Sequence, residues 1–179
     1  VNTQWGRIPW DWCFGLEVSS LAASGYSEFF SNQKLLNLTF LSFTELGGSI
    51  TRFFPACPFL SNLTTLSLHH NSILADGLAT LVATPILQNL VHLDLKGNLL
   101  TDDAIPHLVQ SPYLKNLRVL NLESCLLTEI GTDLFTESNN FPKLERLTLS
   151  GNRINAKGRQ RLVESPHLQN CKIIFMWSG

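Results

Sequence analysis

The chain has 179 residues, 44% of them hydrophobic, and its 13 Lys+Arg against 14 Asp+Glu leave a formal net charge of -1. Such a composition buries a sizeable core and is too apolar for a disordered chain. With no basic run in it, the sequence offers no electrostatic hold on a phosphate backbone or an anionic membrane, so neither nucleic acid nor membrane is expected as a partner.

The N-terminus, "VNTQWGRIPW", has neither a charged lead nor a contiguous apolar segment, so no secretory signal is expected. No apolar stretch reaches membrane-spanning length. Val1 in place of Met reads as a processed chain or an excised piece, and residues 1–10 as an N-terminal cap. Cys13, Cys57, Cys125 and Cys171 form no CxxC pair, which favours reduced, packed thiols and a reducing, cytoplasmic compartment. The sequons at Asn37-Leu38-Thr39 and Asn62-Leu63-Thr64 fall where the repeat described next places Asn and Leu anyway, as at Asn89 and Asn116.

Strand-like segments then recur in phase: "DWCFGLEVSSL" from Asp11, "LTFLSFTEL" from Leu38, "LTTLSLHHNSI" from Leu63, "LVHLDLKGNLL" from Leu90, "LRVLNLESCLL" from Leu117, "LERLTLSGNRI" from Leu144 and "CKIIFMWSG" from Cys171. The step is 27 residues, except for 25 between Leu38 and Leu63. One domain over 1–179 follows, with repeats at about 11–37, 38–62, 63–89, 90–116, 117–143 and 144–170 and a capping strand at 171–179. The second half of each unit also repeats. A polar start (Asp76, Asp102 or Asp103, Thr128, Asn155), an apolar stripe such as Leu78, Leu81 and Val82, and a Ser-Pro or Thr-Pro stop describe a short capped helix. The acid pair Asp102 and Asp103 serves such a helix start as a cap and dipole partner rather than as a catalytic pair. Gly25, Gly77, Gly131 and Gly158, replaced by Ala104 in one unit, are expected either to let the helix start pack close to the strand or to supply a turn conformation. The unit from Leu38 is two residues short and carries Gly47-Gly48 at its turn, so Leu46 fits either the Asn position of the pattern or the apolar one after it.

Strands stack about 4.8 Å apart and helices about 8 to 10 Å apart, so stacked strand-helix units bend into an arc with a parallel sheet inside and helices outside. The motif LxxLxLxx(N/C)xL resembles the leucine-rich repeat, over residues 11–179. Helical outer halves make it similar to the ribonuclease-inhibitor-like class, and the 27-residue unit with its "SPxLxN" tail looks like the short bacterial form. The resemblance implies an α/β leucine-rich-repeat solenoid, a curved right-handed horseshoe with a concave parallel sheet and convex helices. It also implies a non-enzymatic module that binds a protein partner through the concave sheet.

Within a unit the first, fourth and sixth positions point inward, and the ninth stands where the chain leaves the strand and strands buried backbone groups. An amide has the donors and the acceptor needed there. Asn71, Asn98 and Asn152 supply it, Cys125 substitutes in one unit and Ser19 in the first. Positions three, five and seven face the hollow. From them Phe40, Ser42, His69, His92, Asp94, Lys96, Asn121, Glu123, Arg146, Phe175 and Trp177 are candidate partner-binding residues, with Ile173 on the same parity. Phe40 is singled out as an aromatic anchor.

Trp5, Trp10, Trp12 and Trp177 lie in the first twelve or last three residues and read as end caps, in preference to end-to-end docking through the terminal strands. His69, His70, His92 and Asp94 include zinc-ligand types, but an ordinary polar strand face is the preferred reading, and no metal or cofactor is expected. No catalytic motif is found. The rival to a binding module is a targeting region of a larger enzyme or effector, such as a ubiquitin ligase or immune-type receptor, or a metal-dependent histidine site.

Overall fold

Alternating aliphatic and polar residues form seven short strands: β1 (Gly15–Val18), β2 (Phe40–Phe43), β3 (Thr65–Ser67), β4 (His92–Asp94), β5 (Val119–Asn121), β6 (Arg146–Thr148) and β7 (Lys172–Ile174). The structure is a computed structural model that describes residues 14–19 and 21–175. All seven strands pair in parallel, in chain order, in one sheet. Leu41, Leu66, Leu93, Leu120 and Leu147 stand opposite one another from strand to strand and are buried as one column. Phe43, Leu68, Leu95, Leu122 and Leu149 make a second, and Leu38, Leu63, Leu90, Leu117 and Leu144 a third. Strand alternation puts these side chains on one face and leaves the polar residues between them on the other.

The outer layer is α1 (Tyr26–Phe30), α2 (Ala75–Val82), α3 (Ile105–Gln110), α4 (Glu129–Glu137) and α5 (Ala156–Glu164), interspersed with 3-10 turns. α2 to α5 pack each against the next. Thr128 caps α4 through the Ile130 amide and Asn155 caps α5 through the Gly158 amide, as their residue types predict. Asp102 works across units instead. Its carboxylate accepts from the Thr128 amide at 2.8 Å and the Thr128 hydroxyl at 2.6 Å, fixing the cap of the following helix.

At the ninth position of each unit, amides knit consecutive coils. Asn98 Oδ1 accepts from the amides of Asn71 (3.1 Å) and Ile73 (3.0 Å) in the preceding unit, while its Nδ2 donates to the Leu68 and Leu95 carbonyls. Asn152 does the same for the amides of Cys125 and Leu127 and the carbonyls of Leu122 and Leu149. Asn71 accepts from the Leu46 amide, which places Leu46 at the Asn position of the short unit. One residue earlier, Glu45, His70, Gly97, Ser124 and Gly151 all have positive φ, so the chain must pass through the left-handed region to enter the amide's turn.

Several expectations need correcting. Gly15 stands opposite Phe40, a step of 25 and not 27 residues, so the first repeat begins two residues later than Asp11 and Ser19 is adjacent in register to Thr44, not at the Asn position. Lys172 stands opposite Arg146, a step of 26, because the last unit passes straight from its Leu168–Cys171 turn into the strand. The outer half of the unit from Leu38 is a 3-10 segment, Gly48–Ala56, not an α-helix; Pro55 within it has no amide to donate. The recurrent glycines open space toward the previous unit's helix start, not toward the strand: a Cβ on Gly131 would fall 2.4 Å from Asp102 Oδ1, and one on Gly158 2.6 Å from Glu129 Cβ. The tryptophans assigned to capping lie outside the described residues. Among those described, the N-terminal end of the core is an aromatic cluster in which Phe30 meets Phe54 at 5.0 Å and Phe29 meets Phe43 at 5.3 Å.

Two substitutions test the ladder by chemical denaturation. Asn98→Ala orphans two amides and two carbonyls and is expected to cost about 3 kcal/mol, at the upper end of the range for unsatisfied buried groups; an unchanged midpoint removes Asn98 from this role. Gly97→Ala should cost about 1 to 2 kcal/mol for the left-handed backbone alone, and more because its Cβ would lie 2.3 Å from His70 Nδ1.

Candidate functional site

The face of the sheet opposite the leucine columns carries one side chain from every second strand position. Its middle row is small: Ser42 and Ser67 are buried at the floor, flanked by Asp94, Asn121 and Thr148. Larger groups rise on either side, Phe40, His92, Val119 and Arg146 at one end of the strands and His69, Lys96 and Glu123 at the other. Between them runs an open trough of about 440 Å³ that crosses six adjacent strands, from Glu17 on β1 to Arg146 and Thr148 on β6.

Much of this face is held in place. His69 sits between two hydroxyls, with Thr44 Oγ1 3.0 Å from Nε2 and Ser67 Oγ 2.8 Å from Nδ1. Asp94 Oδ1 accepts from the Lys96 amide and Asn121 Oδ1 from the Glu123 amide, so each turns back on its own strand. Lys96 Nζ lies 3.0 Å from Glu123 Oε1 on the next strand. At about one-third exposure this pair is screened and contributes little to stability, but it orients both side chains.

Most of the residues read from the sequence as facing the hollow do so: Phe40, Ser42, His69, His92, Asp94, Asn121 and Arg146 line the trough, and Lys96 and Glu123 stand at its margin. Phe175 does not belong with them. The 26-residue step puts Ile173 opposite Leu147 and Phe175 one residue beyond Ile174, which stands opposite Thr148, so both sit on the core parity and pack against the core. Phe175 lines a separate cavity of about 260 Å³ with Leu149, Asn152 and Ile154, and the Arg159 guanidinium lies 5.6 Å over its ring. Trp177 is outside the described residues. In exchange, β7 presents Lys172 and Ile174 to the hollow, and β1 presents Glu17. Local alternation in "CKII", polar Lys172 before apolar Ile173, carried that parity; counting from Cys171 masked it.

Other features went unread. Ser111 and Ser165, at the Ser-Pro helix stops, and Ser138 each donate a hydroxyl to a carbonyl of the preceding unit, those of Val82, Thr136 and Val109 respectively. Asn62, Asn89 and Asn116 make a further ladder to Leu36, Ser61 and Gln88 carbonyls, which accounts for Asn at that junction. Leu74, Leu99, Leu126 and Ile130 are exposed on the strand-to-helix rim.

For covalent chemistry the thiols are poorly prepared. Burial pushes the Cys125 thiol from its ordinary 9.0 up to about 12, and Cys171 up to about 11. Cys125 instead donates to the Leu95 carbonyl at 3.1 Å, standing in for half of the asparagine's work. Both ring nitrogens of His69 are engaged with hydroxyls, and among the described residues no three of His, Cys, Asp and Glu gather as metal ligands.

A family model described as Leucine Rich repeat matches residues 142–163. A leucine-rich-repeat protein of Leptospira interrogans is similar in structure, with a TM-score of 0.52 at 21% identity over 90% of this chain and 37% of that one. The chain has the leucine-rich-repeat fold. Actin-binding site 2 of leiomodin-1 is similar over 88% of this chain and 79% of that one, with a TM-score of 0.42 at 14% identity. No curated protein matches the chain. The chain spans only 37% of the Leptospira protein's length. No helix among its described residues is long and apolar enough to cross a membrane.

The Cys125 geometry has a pH signature. Because its folded pKa of about 12 lies above the ordinary 9.0, the neutral thiol's contribution is intact below pH 9 and is lost as pH rises from there toward 12. Thiol titration at pH 8 is expected to leave Cys125 unmodified until denaturant is added, and an alkaline melt of Cys125→Ala should lose less stability across that window than the parent. Rapid labelling in the native protein would contradict this assignment.

Proposed function

We propose that this leucine-rich-repeat chain is a non-enzymatic recognition module that binds a protein partner across its concave face. The observation that carries the reading is the trough itself: a continuous hollow over six strands whose lining changes chemically from strand to strand above an unchanging leucine floor. Selection among protein surfaces needs such variety on a rigid support. Hydroxyl-locked His69 and the turned-back Asp94 and Asn121 have little rotamer freedom left to lose on association, which favours affinity. Phe40 and Val119 give half-buried apolar contacts inside a polar surround, the arrangement in which a few anchors carry most of the binding energy. The free, buried thiols of Cys57 and Cys125 are consistent with a reducing, cytoplasmic setting, and the balanced charge with a protein rather than a nucleic acid or membrane partner.

A second reading keeps the same face and changes its setting: the repeats act as the targeting region of a larger enzyme or effector. The length of the Leptospira protein, of which this chain spans 37%, favours it. Under that reading catalysis lies in other sequence, and this region still binds.

Affinity capture with parent and variants tests the proposal. Phe40→Ala, His92→Ala and Arg146→Ala should each leave the melting temperature unchanged, and Phe40→Ala should weaken capture of the same partner by about 2 kcal/mol, about thirtyfold in Kd. Leu99→Ser and Leu126→Ser on the rim should have no effect. The reverse outcome, loss with the rim pair and retention with the inner three, moves the binding surface to the rim.

A further inference from the structure

The charges on the concave face are sorted along the trough. At the β1 end Glu17 is exposed, and Asp94 on β4 is the other acid on the floor. At the far end Arg146 on β6 and Lys172 on β7 stand opposite one another in register and are both exposed. Between these groups Lys96 and Glu123 neutralise each other. Among the described residues Glu17, Arg146 and Lys172 have no ion pair, unlike Lys96 with Glu123, Arg118 with Glu145 and Arg161 with Asp133. The hollow is therefore acidic at the β1 end through Glu17, basic at the β6–β7 end, and mixed between, where Phe40, Asp94 and Val119 face it.

The direction of the trough limits what fits. It crosses the strands, so an occupant lying in it cannot pair its backbone with the sheet as an added strand would, and must be held by side chains. Five strand spacings separate β1 from β6, about 24 Å, which an extended chain covers in about seven residues at about 3.3 Å each. Ser42, Thr65, Ser67 and Thr148 line the floor with short hydroxyls able to bond an extended backbone from below.

Resting on the concave-face reading, we infer that the partner presents an extended segment of about seven residues with opposed terminal charges. A basic side chain lies toward Glu17 and an acidic one between Arg146 and Lys172. A small or aliphatic residue in the middle contacts Phe40 or Val119. Opposite charges at the two ends fix the direction in which the segment lies, because reversal sets acid against Glu17 and base against Arg146.

A displayed random heptapeptide library panned on the purified chain tests this. The enriched pool should carry Lys or Arg at one end and Asp or Glu at the other. Panning on Arg146→Glu/Lys172→Glu should replace the acidic preference by a basic one and leave the other end alone; panning on Glu17→Lys should invert only the opposite end. A fluorescent peptide of the parent consensus should bind the double reversal about tenfold more weakly, with an effect that shrinks as salt rises. All three charges are replaced on exposed positions, and unchanged thermal melts of the variants establish that folding is intact.

The failures separate. A pool without a charge pattern, or with one that ignores both reversals, but whose binding is lost in Phe40→Ala, overturns the dipolar segment and keeps the concave face. A pool whose binding survives Phe40→Ala and both reversals overturns both, and points to the rim if Leu99→Ser/Leu126→Ser abolishes it. No enrichment over an unrelated protein of similar charge overturns the extended-segment inference directly.

Discussion

Backbone satisfaction at the strand-to-helix turn is the constraint on which the structure rests. A strand that ends inside a coil leaves amides and carbonyls without ladder partners, and burial makes each of them costly. In this chain Asn71, Asn98 and Asn152 each remedy the coil before their own. Asn98 closes the turn that begins at Asn71, and Asn152 the one that begins at Cys125. Because an amide reaches only one strand spacing, the coils must stand in register, and the register aligns the leucine columns. The serine hydroxyls behind the helices and the asparagines before the strands repeat the device at two other levels of the coil. Stability is then passed from neighbour to neighbour, with no long-range contact needed to define the shape.

Cys125 shows how far that arrangement can bend. A thiol has a weak donor and a poor acceptor, so it serves the Leu95 carbonyl but does not reproduce the oxygen with which Asn98 and Asn152 accept two amides each. The unit tolerates it because Asn152 secures Cys125's own amide from the following side, while burial keeps the thiol neutral. Leu46 marks the other limit. It occupies the same position with no polar side chain at all, in the unit with the 3-10 outer segment and the Gly47-Gly48 turn. There an aromatic cluster around Phe30, Phe43 and Phe54 packs the core beside it.

The interior was legible because it is periodic. Leucines at fixed steps can only be columns, and an amide breaking an apolar run can only be answering backbone groups, so the parallel sheet and the roles of Asn71, Asn98 and Asn152 follow from counting. Counting fails where a turn gains or loses a residue, and that happened at both ends. One residue fewer before β7 exchanged Phe175 for Lys172 on the inner face, since a strand shifted by one position presents its opposite side. Two residues at the first unit moved Ser19 off the amide position without changing its face. Contacts that repeat across units rather than within them, such as Asp102 holding Thr128 or the Ser111 hydroxyl on Val82, leave no local mark, because nothing in either residue's own neighbourhood requires the other.

The two sets of positions along each strand answer to different constraints, and that difference is what makes the inner face usable. Positions four, six and nine are each surrounded by the units before and after, so a change there disturbs two interfaces. Positions three, five and seven touch water and their lateral neighbours only. A sequence can therefore run through glycine, Phe40, Thr65, His92, Val119, Arg146 and Lys172 along a single row without altering the coil that displays them. Within that free set Glu17 stands at β1 and Arg146 and Lys172 at β6 and β7, with Asp94 midway and Lys96 closed on Glu123. A scaffold indifferent to these side chains does not impose that order.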